Sequence, residues 1–149
     1  MTNNSTAQEG VESREDDSGM LDADRRDPLP WGHPAHWPLI PSGAEGSNRA
    51  PGWSSTIEGT QTDTNAVAAW LVSLRGRSRS TIDAYRRESG RLMLWAASQG
   101  KGLSDLQASD FIRYEQFLAD PQPRERWVSS GRKHGRSDPR WRPFAGPLA

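Results

Sequence analysis

Cysteine is absent from the chain, which excludes disulfides, thiolate metal ligands and cysteine nucleophiles and fits a reducing compartment. Apolar residues are scarce: 33% of the 149 residues are hydrophobic, against 14 Gly and 11 Pro. That is enough apolar material for one small domain, and part of the chain is expected to stay unfolded. No stretch approaches the roughly 20 consecutive apolar residues of a membrane span. The opening Met1-Thr2-Asn3-Asn4-Ser5 has neither a basic region nor an apolar run, so no secretory signal is read there. These absences lead to the expectation of a soluble, cytoplasmic protein with no membrane partner.

Net charge is also lacking, but only in the sum. Residues 1–60 hold ten acids against four bases, a net of −6, and residues 61–149 hold fifteen bases against nine acids, a net of +6. A basic half attracts polyanions through its summed field, whereas an acidic segment either solubilises it or competes for the same surface. Nucleic acid is therefore the leading candidate partner.

Residues 1–60 are expected to be disordered. Up to Asp27 only Val11, Met20 and Leu21 are sizeable apolar side chains, too few to offset the entropy of ordering a backbone. The strip from Pro28 to Pro41 contains five prolines as well as Trp31 and Trp37, which predicts an extended, polyproline-like segment able to dock on an aromatic groove. An adaptor that binds proteins through this strip is an alternative function. His33 and His36 suggest a metal pair, but no third ligand accompanies them, so neither a metal nor a cofactor is expected.

From Thr60 the pattern becomes helical. Val67, Trp70, Leu71 and Leu74 form one apolar stripe, which predicts a helix over 64–75 capped by Asp63 or Thr64. A second start signal at Ser78 or Ser80 opens the longest helix, 79–98, which ends at Gly100 and Gly102. Arg79, Asp83, Arg86 and Arg87, with Arg91 at the edge, share its polar face, since residues three, four and seven apart return to one side of a helix. Ser109 is read as the cap of a third helix, 110–119, closed by Pro121 and Pro123. Beyond it Arg132, Lys133, Arg136 and Arg142 alternate with Trp127 and Trp141 in a basic, aromatic arm. The two tryptophans either stack on bases or pin the arm to the helices, and pinning is favoured. Trp70 and Trp95 are read as core or half-core.

The ordered series Thr81, Tyr85, Arg86, then Phe117 to Pro123, Trp127 and Trp141 to Leu148 resembles the amino-terminal core-binding domain of tyrosine recombinases of the phage integrase family. Gly46 to Ala50 and Leu92 to Ala96 look like further landmarks of that domain, so the resemblance covers roughly residues 43–149. It implies an all-α fold: a small bundle of three helices out of a four-helix, SAM-like domain, occupying residues 61–149 after the disordered segment. It also implies that the chain stops short of the family's catalytic domain, so that no strand cleavage is expected and Tyr85 and Tyr114 are structural rather than nucleophilic. DNA integration and recombination would be the process served, with duplex DNA and other recombinase protomers as partners, no small-molecule substrate, and nucleoid association when bound. Arg79, Thr81, Arg86, Arg87, Arg91, Arg132, Lys133 and Arg136 are the expected DNA contacts, through phosphates rather than base edges. Loss of a fourth helix would leave an apolar stripe uncovered and favour self-association. A cleavage-deficient competitor of full-length recombinases is a third functional reading.

Overall fold

The computed structural model describes residues 26–51 and 60–146. Its frame is helical: α1 (Asp63–Ser73), α2 (Arg79–Ser98), a 3-10 turn (Leu103–Asp105), α3 (Ala108–Ala119) and the single turn α4 (Arg124–Trp127). A two-residue strand β1 (Arg26–Asp27) pairs antiparallel with β2 (Ile40–Pro41), Arg26 opposite Pro41 and Asp27 opposite Ile40. One parallel bridge joins Val128 to Phe144. These last elements, like the single turn and the 3-10 turn, are too short for any periodicity to announce them.

The long helix α2 has the predicted bounds. Ser78 caps it, its Oγ accepting from the Thr81 N–H at 3.3 Å. Gly100, at φ 72°, turns the chain left-handed just past the helix end, a conformation that costs glycine little. The other two starts differ from expectation. Thr62, rather than Asp63 or Thr64, caps α1 by accepting from Asn65 N at 3.2 Å. At α3 the cap position is Gln107, not Ser109, and the Asp110 carboxylate reaches back to the Gln107 N–H at 2.8 Å. Asp110 is buried, and Lys101 above all holds it well below the usual carboxylate range, with the Gln107 N–H and Arg113 assisting.

The core is centred on Met93, Leu94, Trp95 and Ala96 of α2, with Val67 and Leu71 of α1 on one side. Leu106, Trp127, Val128 and Phe144 complete it from the later segments. An aromatic chain runs through it: Trp95 meets Tyr114 at 5.1 Å, Phe117 meets Trp127 at 4.8 Å, and Trp127 meets Trp37 at 4.9 Å. Trp127 and Trp141 thus pin the arm inward, Trp141 lying 6.3 Å from Trp37.

Pro28 to Pro41 do not form the separate extended strip that their prolines predict. Leu29 and Ile40 are buried in the same core as the helices, and Pro34 is buried with them. Fixed proline φ angles shape turns as readily as an extended strip, and a short bundle with little apolar cover gains by burying every apolar side chain within reach. His33 clips this segment together: Nδ1 accepts from the Leu29 N–H at 3.1 Å, leaving Nε2–H to donate to the Trp37 carbonyl at 3.0 Å. Both ring nitrogens are therefore used in backbone contacts rather than held for a metal, and His36, at φ 63°, is exposed.

A second fastening holds residues 42–49 to the start of α1. Asp63, almost fully buried, takes Arg49 Nη2 at 3.0 Å, the Ser104 N–H at 2.9 Å and the Ser104 hydroxyl at 3.1 Å. Gly43 passes so close that a side chain there would fall inside the Asp63 carboxylate. Asn48 adds a bond from Nδ2 to the Leu106 carbonyl at 2.7 Å. The domain boundary expected at residue 60 is therefore corrected: a single core draws on residues from Leu29 to Phe144. Residues 1–25, 52–59 and 147–149 lie outside the described residues, and with them that part of the disorder expected over 1–60.

Candidate nucleic-acid interface

Helical spacing puts Arg86, Arg87 and Arg91 on the side of α2 that faces the loop after α4. That loop is drawn back onto the helix by its own backbone: Phe144 N–H donates to the Trp127 carbonyl at 3.0 Å and Ser129 N–H to the Phe144 carbonyl at 2.8 Å. Arg91 Nε donates to the Pro143 carbonyl at 2.9 Å, and its guanidinium lies 4.4 Å from the Phe144 ring centre. A cleft of about 680 Å³ results, walled by Arg86, Arg87 and Arg91 on one side and Lys133, Arg136 and Arg142 on the other. Trp31, Trp141, His134 and one carboxylate, Asp83, complete its walls.

The six cations differ in how committed they are. Arg87 is the most open of the three on α2, its side chain 56% exposed, with Glu88 at 3.4 Å its ion-pair partner among the described residues. Arg86 is 42% exposed and reaches Asp83 at 3.4 Å. Such long, solvated pairs hold their partners weakly, so both guanidiniums are available to a stronger anion. Arg91, 19% exposed, is spent on Pro143, Phe144 and a 2.8 Å contact to Glu88, and it serves mainly to tie the loop to α2. Arg142 is likewise occupied by the Glu125, Pro139 and Trp141 carbonyls.

Arg136 gives one arm to the Gly32 carbonyl at 2.7 Å and lies 5.0 Å from the Trp141 ring centre. Its pKa is pushed below the ordinary guanidinium value, first by burial and then by the neighbouring Arg86 charge. Crowding of like charges in a partly dry cleft is what an incoming anion relieves. Two donors in the wall, Trp31 Nε1 and Arg86 Nε, are buried with no acceptor among the described residues. A buried donor left unpaired costs about 1–3 kcal/mol, which again favours an acceptor in the cleft.

Of the residues singled out by sequence, the structure brings together Arg86, Arg87, Arg91, Lys133 and Arg136. Arg79, Thr81 and Arg132 stand outside the cleft walls. Thr81 is occupied at the helix cap, its hydroxyl 2.8 Å from Ser78 Oγ. Arg79 lies seven residues before Arg86, about 10 Å along the axis. The walls also hold residues outside the expected contacts, Arg142, Trp31 and His134 among them. Arg142 belongs to the basic arm, and its place among basic and aromatic residues is a usable signal. Trp31 had no signal, because nothing in the sequence links it to Gly90 on α2, against which its ring packs.

A second opening, about 580 Å³, is apolar and lies among α1, α2 and α3. Val67, Trp70, Tyr85, Leu92, Tyr114 and Leu118 line it. Trp70 and Tyr85, 5.4 Å apart, remain 42% and 40% exposed, so Trp70 is half-core at most and an apolar stripe does stand uncovered. Both tyrosines belong to this groove and neither lines the basic cleft. Among the described residues no group of three acidic or histidine side chains is gathered as a metal site, and no helix is long and apolar enough to cross a membrane. No family model, no curated protein and no solved structure matches the chain.

Proposed function

We propose that this chain is a DNA-binding module of the kind that opens tyrosine recombinases, gripping duplex DNA through the basic cleft between α2 and the loop after α4. The observation that carries this reading is the convergence of Arg86 and Arg87 with Lys133 and Arg136, from segments some fifty residues apart, on one concave surface. Guanidiniums and an ammonium arranged in this way suit successive phosphates, which fix a protein on the duplex without specifying its sequence. The resemblance of Thr81, Tyr85 and Arg86 to the family pattern supports the same surface, because Arg86 is the member of that pattern that faces the cleft. Strand cleavage is not part of the proposal: Tyr85 and Tyr114 line the apolar groove and neither lines the cleft where the cations gather that a phosphoryl transfer would need around the phosphorus. Its place is in DNA integration or recombination, with the catalytic step supplied by another module.

Fluorescence anisotropy with a labelled duplex tests this. Arg86→Ala with Arg87→Ala should weaken binding at least about tenfold, since a hydrogen bond to a charged group is worth about 1.5–3 kcal/mol. Arg75→Ala with Arg77→Ala, in the exposed turn before α2, should leave the affinity nearly unchanged. Equal losses from the two pairs would place the contact elsewhere.

A further inference from the structure

The cleft has a candidate occupant within the same chain. Residues 1–25 carry seven carboxylates and two arginines, a net of −5, while the cleft walls carry six cations and Asp83, a net of +5. The geometry points to the acidic segment from Glu9 to Asp24 as the resident ligand of the basic cleft, where its carboxylates take the places of nucleic-acid phosphates and must be displaced before DNA can bind. The displacement step rests on the proposed DNA interface; the docking itself does not.

Tethering favours the contact. Arg26 is held in place by its pairing with Pro41, and Trp31, five residues later, already forms part of the cleft wall. Five residues span at most about 18 Å, so the acidic segment joins the fold within that distance of the cleft. A ligand tethered by a short linker experiences an effective concentration on the order of millimolar, so even a weak carboxylate–guanidinium association is well populated. The chemistry also matches. Carboxylates meet guanidinium forks with the same two-point geometry as phosphates, and Arg86 and Arg87 hold their present carboxylate neighbours only at 3.4 Å. The run Glu15-Asp16-Asp17 is the densest charge available to them. The apolar groove among α1, α2 and α3 has a single carboxylate, Glu88, and no cation in its lining, and offers this segment nothing comparable.

Lysine placement makes the docking directly measurable, because the chain has two lysines, Lys101 and Lys133. Lys133 lines the cleft, whereas Lys101 is held by Asp110 at 2.8 Å and lies outside it. Zero-length carbodiimide coupling of the full chain, read by peptide mass spectrometry, should join Lys133 to carboxylates between Glu9 and Asp24, with the Lys101–Asp110 link as an internal positive control. Arg86→Ala with Arg87→Ala should remove most of the Lys133 links and leave the control. Absence of those links, equal linking of the segment to Lys101, or links indifferent to the two arginines would each overturn the docking. In the second arm, a full-length variant carries all seven carboxylates from Glu9 to Asp24 as amides. It should bind duplex about tenfold more tightly at low salt, the gap closing as salt rises, because tethered carboxylates and phosphates compete for the same screened charges. Unchanged affinity would overturn the competition. Failure of both chains to bind duplex would instead refute the DNA interface and leave the cross-links to decide the docking.

Discussion

Ile40→Ala tests whether the segment before α1 belongs to the folded core. Ile40 is 0% exposed and packs with Leu29 against the α2 centre, whereas its neighbour Leu39 is 42% exposed. Truncation to Ala removes three carbons, about 2.4 kcal/mol of transfer free energy at ~0.8 kcal/mol each. A partly collapsed cavity brings the expected loss to about 3 kcal/mol. In a domain of this size each kcal/mol moves Tm by about 4–6 °C, so a fall of about 12–18 °C is expected. Leu39→Ala should cost no more than about 0.5 kcal/mol. Urea unfolding followed by far-ultraviolet circular dichroism is the assay, since that signal comes mainly from α1, α2 and α3. A coupled segment then appears as a lowered midpoint at unchanged m-value. If both variants melt like the parent chain, residues 26–51 do not fold with the helices and the single-core account is wrong.

Removing either partner of the Arg49–Asp63 pair should be costly. Asp63→Ala leaves the Arg49 guanidinium and the Ser104 N–H buried without their acceptor and should lower stability by about 3–5 kcal/mol, with a double-mutant cycle against Arg49→Ala showing coupling. Burial, with the Glu88 charge adding to it, pushes the Tyr114 hydroxyl up to about 12. The unfolded chain gives up that proton near pH 10 and the folded chain only near pH 12, so stability should be lost as pH rises through this window. Tyr114→Phe should remove that part of the alkaline loss, as read by melting at stepped pH. The open groove at Trp70, Tyr85 and Leu118 should drive concentration-dependent self-association; Trp70→Ser with Leu118→Ser should return a monomer in sedimentation velocity.

Periodicity made the helical frame legible. Ile82, Tyr85, Ser89, Leu92, Met93 and Ala96 recur at helical spacing between Ser78 and Gly100, and the helix occupies 79–98 as read. Caps were less legible, because Thr62, Asp63 and Thr64 are all chemically able to cap and only packing decides which does: Asp63 is drawn off to Arg49 and Ser104. The burial of the segment from Leu29 to Ile40 is not legible in the sequence, because its apolar side chains are separated by prolines without a period. Their burial depends on a surface that other parts of the chain create. The same distinction holds at the cleft. Arg86, Arg87 and Arg91 share a face because helix geometry alone requires it, but the meeting with Lys133, Arg136, Arg142 and Trp31 is tertiary. Arg91 shows the limit of a helical wheel: it lies on the expected face, yet its fork is spent on Pro143 and Glu88.

The salt dependence of duplex binding tests the central claim most directly. Of the six cleft cations, Arg91 and Arg142 are committed to the protein itself, which leaves Arg86, Arg87, Lys133 and Arg136 for phosphates. At about 0.9 counterions released per phosphate, the logarithm of the affinity should fall with the logarithm of salt concentration at a slope of about −3 to −4, and Arg86→Ala with Arg87→Ala should reduce that slope by nearly 2. A slope near zero, or one that the two substitutions leave unchanged, would contradict a phosphate-gripping cleft.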